Sequence, residues 1–141
     1  MKIAPRFRPG IVGALSLALG ACAATWETPR TPLVAAVGPD GVQHVAVVGG
    51  NYYFDPNRIV VKAGVPVELT LRKEEGLVPH EFVLSAPDAG IAVAESLSTK
   101  PTVVRFTPTK PGEYPFFCGK KLLFFPSHKE QGMTGVLEVV P

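Results

Sequence analysis

The chain has 141 residues, 46% hydrophobic and 18% charged, a balance that suits one compact domain and excludes a disordered tail. Its formal charge of +2 has no basic run or stripe behind it, which excludes a nucleic-acid partner. Fifteen Pro and fourteen Gly, spread among Val-rich runs, read as the turns of an all-β domain.

Residues 1–22 carry a basic start, MKIAPRFR, an apolar stretch from Ile11 to Leu19, and then small residues. The apolar stretch is too short to span a bilayer, so residues 1–21 read as a signal peptide. Its removal leaves 11 basic residues against 12 acidic ones. Leu19-Gly20-Ala21-Cys22 resembles a bacterial lipobox, whose cysteine takes lipid and becomes the mature N-terminus. Ala21-Cys22-Ala23 is also an A-x-A pattern, and cleavage there would release a soluble periplasmic protein. The lipoprotein reading is preferred, because a cysteine at this position has little other use. Cys22 is therefore the expected lipid anchor, and the periplasmic face of a bacterial membrane the expected location. Residues 22–41 are Pro-rich and without period, and read as a tether. Trp26 within it suits either a lipid interface or an ordinary linker.

Residues 42–141 read as the domain. Short β-rich runs are expected at Val42–Val48, Arg58–Lys62, Val65–Leu71, Glu81–Leu84, Thr102–Thr107, Glu113–Phe117 and Gly135–Val140. In the third, Val65, Val67, Leu69 and Leu71 alternate with polar Glu68 and Thr70. Ala63-Gly64 and Pro108–Gly112 read as turns. Ala86–Lys100 shows no strand pattern and reads as a short helix or an irregular crossover. Seven or eight short strands in this length predict a two-sheet Greek-key β-sandwich.

With Cys22 spent on the anchor, Cys118 has no disulfide partner in a compartment that favours disulfides. Metal ligation gives such a thiol a reason to be there. Cys118 ends an apolar strand and is followed by His128 and Met133, while His80 lies upstream where another strand begins. A soft thiolate, two imidazoles and a weak thioether suit both Cu(I) and Cu(II) in one trigonal geometry. His44 stands in a β run without donor neighbours and reads as structural or exposed.

The stretch Phe54-Asp55-Pro56-Asn57-Arg58-Ile59-Val60-Val61-Lys62-Ala63-Gly64-Val65-Pro66-Val67 resembles the opening of bacterial cupredoxins of the plastocyanin and azurin superfamily. His128-Lys129-Glu130-Gln131-Gly132-Met133-Thr134-Gly135 is similar to the plastocyanin-type His-x4-Met run. Pro111-Gly112-Glu113-Tyr114 and Phe117-Cys118 match the strand that delivers the cysteine. The resemblance covers residues 46–141. It implies one type 1-like copper ion held by Cys118 as thiolate, His80 and His128 as imidazoles, and Met133 as axial ligand.

One feature departs from the family pattern. Plastocyanins and azurins place two to four residues between the cysteine and the second histidine, and here there are nine, GKKLLFFPS. Leu at position 122 excludes a dinuclear copper centre, which needs a second cysteine there. Leu122, Leu123, Phe124 and Phe125 fit either a small core over the metal or an exposed patch where a redox partner docks. Lys120 and Lys121 beside them would steer an acidic partner. Single-electron transfer in the cell envelope is the function expected. Copper or iron delivery is the alternative, and the long loop would serve it by opening the site. A Cys–His nucleophile is disfavoured, because no oxyanion hole, cleft or nucleophile elbow is legible.

Overall fold

The computed structural model describes residues 31–141; the expected signal peptide, Cys22 and Trp26 lie outside them. The described residues form ten strands in two sheets with one short 3-10 turn at Pro87–Ala89. The strands are β1 (Leu33–Val34), β2 (Gln43–Gly50), β3 (Tyr53–Asp55), β4 (Arg58–Lys62), β5 (Val67–Lys73), β6 (His80–Ala86), β7 (Ile91–Leu97), β8 (Thr102–Phe106), β9 (Gly112–Phe117) and β10 (Thr134–Val140). One sheet runs β1-β4-β10-β9-β6-β7 and the other β3-β2-β5-β8. The all-β two-sheet sandwich expected from the sequence is the fold found. Among the described residues, no helix is long and apolar enough to cross a membrane.

Period-two patterning makes the core. Val67, Leu69 and Leu71 of β5 are fully buried, and Glu68 and Thr70 between them are only half-buried, as alternation on a pleated strand requires. Phe54, Phe82 and Phe116 meet at its centre with ring centroids 4.9–5.5 Å apart, distances at which tilted aromatic pairs attract. Gly135 is required by close approach: a Cβ there would stand 2.2 Å from the Phe116 ring and 2.5 Å from the Asn57 carbonyl oxygen.

Gln43, wholly buried in β2, joins the two sheets. Its Oε1 accepts from the Lys62 amide at 2.7 Å, and its Nε2 donates to the carbonyls of Lys62 and Val65 at 3.2 and 3.3 Å. A buried amide side chain is tolerated because these bonds replace the water it gave up.

Two expectations are corrected. Ile91–Leu97, within the segment read as helix or crossover, is a full strand antiparallel to β6. Its inward residues Ile91, Val93 and Leu97 are buried, but the outward positions hold Ala92, Ala94 and Ser96. Small residues, alanine among them, blur the apolar–polar alternation by which a strand is recognised. The last part of the expected tether belongs to the domain: Leu33–Val34 pairs in parallel with Ile59–Val60, and Ala35 is buried. Backbone pairing with an edge strand, which leaves no compositional trace, holds it there. Strand β3 also went unmarked, at three residues too short to show a period.

Candidate metal centre

The candidate centre lies at one end of the six-stranded sheet, where β6 begins, β9 ends and β10 begins. His80 is the first residue of β6. Cys118, His128 and Met133 all come from the connection between β9 and β10, whose ends are tied by the Thr134–Phe117 pair. Three of the backbone bonds in that connection set where its candidate ligands lie. The Cys118 amide donates to the Met133 carbonyl at 3.0 Å, the Met133 amide to the His128 carbonyl at 2.9 Å, and the His128 amide to the Lys120 carbonyl at 3.1 Å. Ser127 and Glu130 add a reciprocal cap: the Ser127 amide and hydroxyl both donate to the Glu130 carboxylate at 2.7 Å, and the Glu130 amide donates back to Ser127 Oγ at 3.3 Å.

The His128–Lys120 bond explains how nine residues fit between Cys118 and His128. The loop leaves at Lys120 and returns to it at His128, so Lys121–Ser127 form a closed excursion pinched at its base.

The donors converge. His80 Nδ1 lies 3.2 Å from His128 Nδ1, and Cys118 Sγ lies 3.4 Å from His128 Nδ1. Ligand atoms of all three residues fall within 4.8 Å of one another. His80, Cys118 and His128 are 4%, 1% and 1% exposed. Burial, with the neighbouring charges of His128 and Lys73, pushes His80 down to about 4, and burial lowers His128 as well. Both imidazoles are therefore neutral at pH 7, with a lone pair available on each. The Glu81 amide donates to Cys118 Sγ at 3.4 Å.

Two imidazole nitrogens and a sulfur aimed at one buried spot repel one another unless a cation or proton sits among them. The donor set, a soft sulfur with two imidazoles, all three buried, fits a type 1 copper ion. Two backbone bonds tie Met133 to Cys118 and His128, and its side chain is fully buried. Its Cε would stand 3.2 Å from a Cβ built on Gly49; a glycine at 49 leaves the room this methionine occupies.

Leu122, Leu123, Phe124 and Phe125 are 38%, 82%, 100% and 66% exposed. They are exposed and do not form a small core. The Phe125 amide donates to the Leu122 carbonyl at 2.9 Å, making a turn, so the strand alternation that forbids four neighbours from facing one way does not apply. His44 lies on the outer face of β2, between Asp40 at 2.7 Å and Glu68 at 3.3 Å, exposed as expected. Lys120 Nζ is 3.8 Å from Glu81.

Tyr52 is the site residue that the sequence did not reveal. Its ring packs edge-on against His128, with centroids 5.2 Å apart at 83°. It does so from a left-handed backbone, φ 62°, which non-glycine residues adopt at a cost. The only signal was its place after Gly49-Gly50. His128 Nε2 is buried and has no hydrogen-bond partner among the described residues.

The profile of the cupredoxin-like domain matches residues 15–133. No curated protein matches the chain. Among solved structures, the metal-binding domain of the Cu(I)-exporting P-type ATPase CopA of Streptococcus pneumoniae D39 superposes with a TM-score of 0.60 at 20% identity, over 79% of this chain and 97% of that one. Auracyanin from Roseiflexus castenholzii gives 0.57 at 20%, over 76% and 99%. A copper binding protein solved by NMR in its apo form gives 0.57 at 26%, over 78% and 98%. On the profile match and the fold, the chain belongs to the cupredoxin-like domain family.

Proposed function

We propose that this protein binds one copper ion through His80, Cys118 and His128, with Met133 as axial ligand, and carries single electrons in the bacterial cell envelope. The observation that carries the reading is the convergence of two Nδ1 atoms and one thiol at a buried point. Copper supplies the one-electron chemistry when bound, and the chain supplies the conditions for it. Backbone bonds fix His128 and Met133 relative to Cys118, which limits rearrangement between oxidation states. Phe82, Phe116, Leu97 and Met133 are all buried in the core that adjoins the site and keep water from it. Likeness to a copper binding protein of known structure, at 26% identity, supports the choice of metal.

Delivery of copper is the second reading, and one observation favours it. A hollow of about 50 Å³, lined by Gly49, Gly50, Lys73, Glu74 and Gly76, reaches His80 and offers an exchange route. The pinched loop and the buried donors support electron transfer. The test is to cycle the copper-loaded protein between oxidation states in the presence of a Cu(I) chelator. A carrier keeps its metal over many cycles. Transfer of the copper to the chelator on first reduction would establish delivery instead.

A further inference from the structure

The loop Lys121–Ser127 is not needed to close the copper site, because the His128–Lys120 bond seals it at the base. Its composition calls for another role. Four consecutive apolar side chains stand out from the surface at a turn, with Phe124 fully exposed. Leu123 holds a left-handed backbone, φ 44°, where Gly or Asn would be easier; comfort of the turn did not select leucine. Lys120 and Lys121 stand at the base of the loop, and Lys129 follows it with its ammonium 4.3 Å over the Phe117 ring. Glu81 faces Lys120 at 3.8 Å and Glu130 lies near Lys121, so the loop from Gly119 to Gly132 keeps three lysines against its one glutamate.

We propose that this tip inserts into the interface of an anionic lipid membrane. A convex apolar turn with a basic collar suits a lipid surface, which deforms around it and attracts the lysines. A protein partner would need a matching pocket. The path of the chain points the same way. Strand β1 runs parallel to β4 and β10, with Leu33 opposite Ile59 and Ile59 opposite Leu137. Followed backwards from Leu33, the chain heads to the end of the sheet where β10 begins and the loop projects. The described chain therefore enters the domain on the loop's side. An N-terminal membrane anchor of the kind the sequence predicts would hold the tip toward the same bilayer.

The test places the reporter in the loop, so that membrane binding by the N-terminal segment does not confuse it. The chain has one tryptophan, and the full-length Trp26→Phe, Phe124→Trp variant moves it to the exposed tip. With phosphatidylcholine–phosphatidylglycerol vesicles, its emission is expected to shift to shorter wavelength and to be quenched by brominated acyl chains. Adding Leu123→Ser and Phe125→Ser abolishes both effects. Removing Lys120 and Lys121 weakens loop insertion by about fivefold per charge. Emission unchanged from buffer while the protein sediments with vesicles would overturn the proposal. So would a shift that grows with protein concentration without lipid, which would assign the tip to a second copy. Copper uptake by the same variant is read separately, so failure of the metal assignment is distinguishable from failure of this one.

Discussion

At Tyr52 the chain holds a bulky residue at φ 62°, and the ring so placed covers His128. Strain of this kind persists where the surroundings hold it and collects at functional sites. Tyr52→Gly should relieve about 1 kcal/mol of backbone strain while uncovering the imidazole. We expect unfolding stability near that of the parent and faster loss of copper to a chelator; unchanged loss would show that Tyr52 does not shield the site. Gln43→Ala removes three part-buried hydrogen bonds, to the Lys62 amide and to the Lys62 and Val65 carbonyls, and chemical denaturation should show a loss of about 1–3 kcal/mol. His80 sets a pH limit on the metal-free protein. Its pKa lies near 4 when folded against about 6.5 unfolded, so the unfolded chain takes up the proton first. Its contribution is complete above pH 6.5 and is lost as pH falls toward 4. Metal-free melting temperatures should therefore drop across that interval, and His80→Gln should flatten the drop.

At the scale of elements, the β9–β10 connection separates into a site and an appendage. Lys120 and His128 already share the carbonyl-to-amide bond that closes a four-residue turn. Replacing Lys121–Ser127 by Asn-Gly would complete such a turn and restore a short cysteine-to-histidine spacing. The loop-free protein is expected to bind copper with an unchanged visible spectrum, at a stability cost of about 1 kcal/mol for the lost Ser127 cap. An altered spectrum would mean that the excursion shapes the metal site after all. Strand β10 allows less change at its first turn. Gly135→Ala drives a methyl against Phe116 and the Asn57 carbonyl, and overpacking of this kind should cost about 1–3 kcal/mol.

Over the whole molecule, what was legible in the sequence follows what leaves a periodic or chemical trace. Strand β5 alternates Val, Leu and Leu with polar residues and was found within two residues of its bounds. Strand β7 breaks its inward row with Glu95 and has small outward residues, and β1 is held by pairing alone; neither leaves a period to read. The three donors were legible because thiol and imidazole are rare and chemically specific, and the fold brings them together. The return path of the nine-residue loop depends on one backbone bond, and backbone bonds have no side-chain signature. Tyr52 was hidden for a related reason, since its role comes from a backbone angle. The central claim is that His80, Cys118 and His128 hold copper, and titration of the metal-free protein with Cu(II) tests it most directly. One equivalent should produce an intense thiolate-to-copper visible absorption that Cys118→Ser abolishes while the folded β spectrum in circular dichroism is kept. Copper bound by Cys118→Ser with the same absorption would contradict the account.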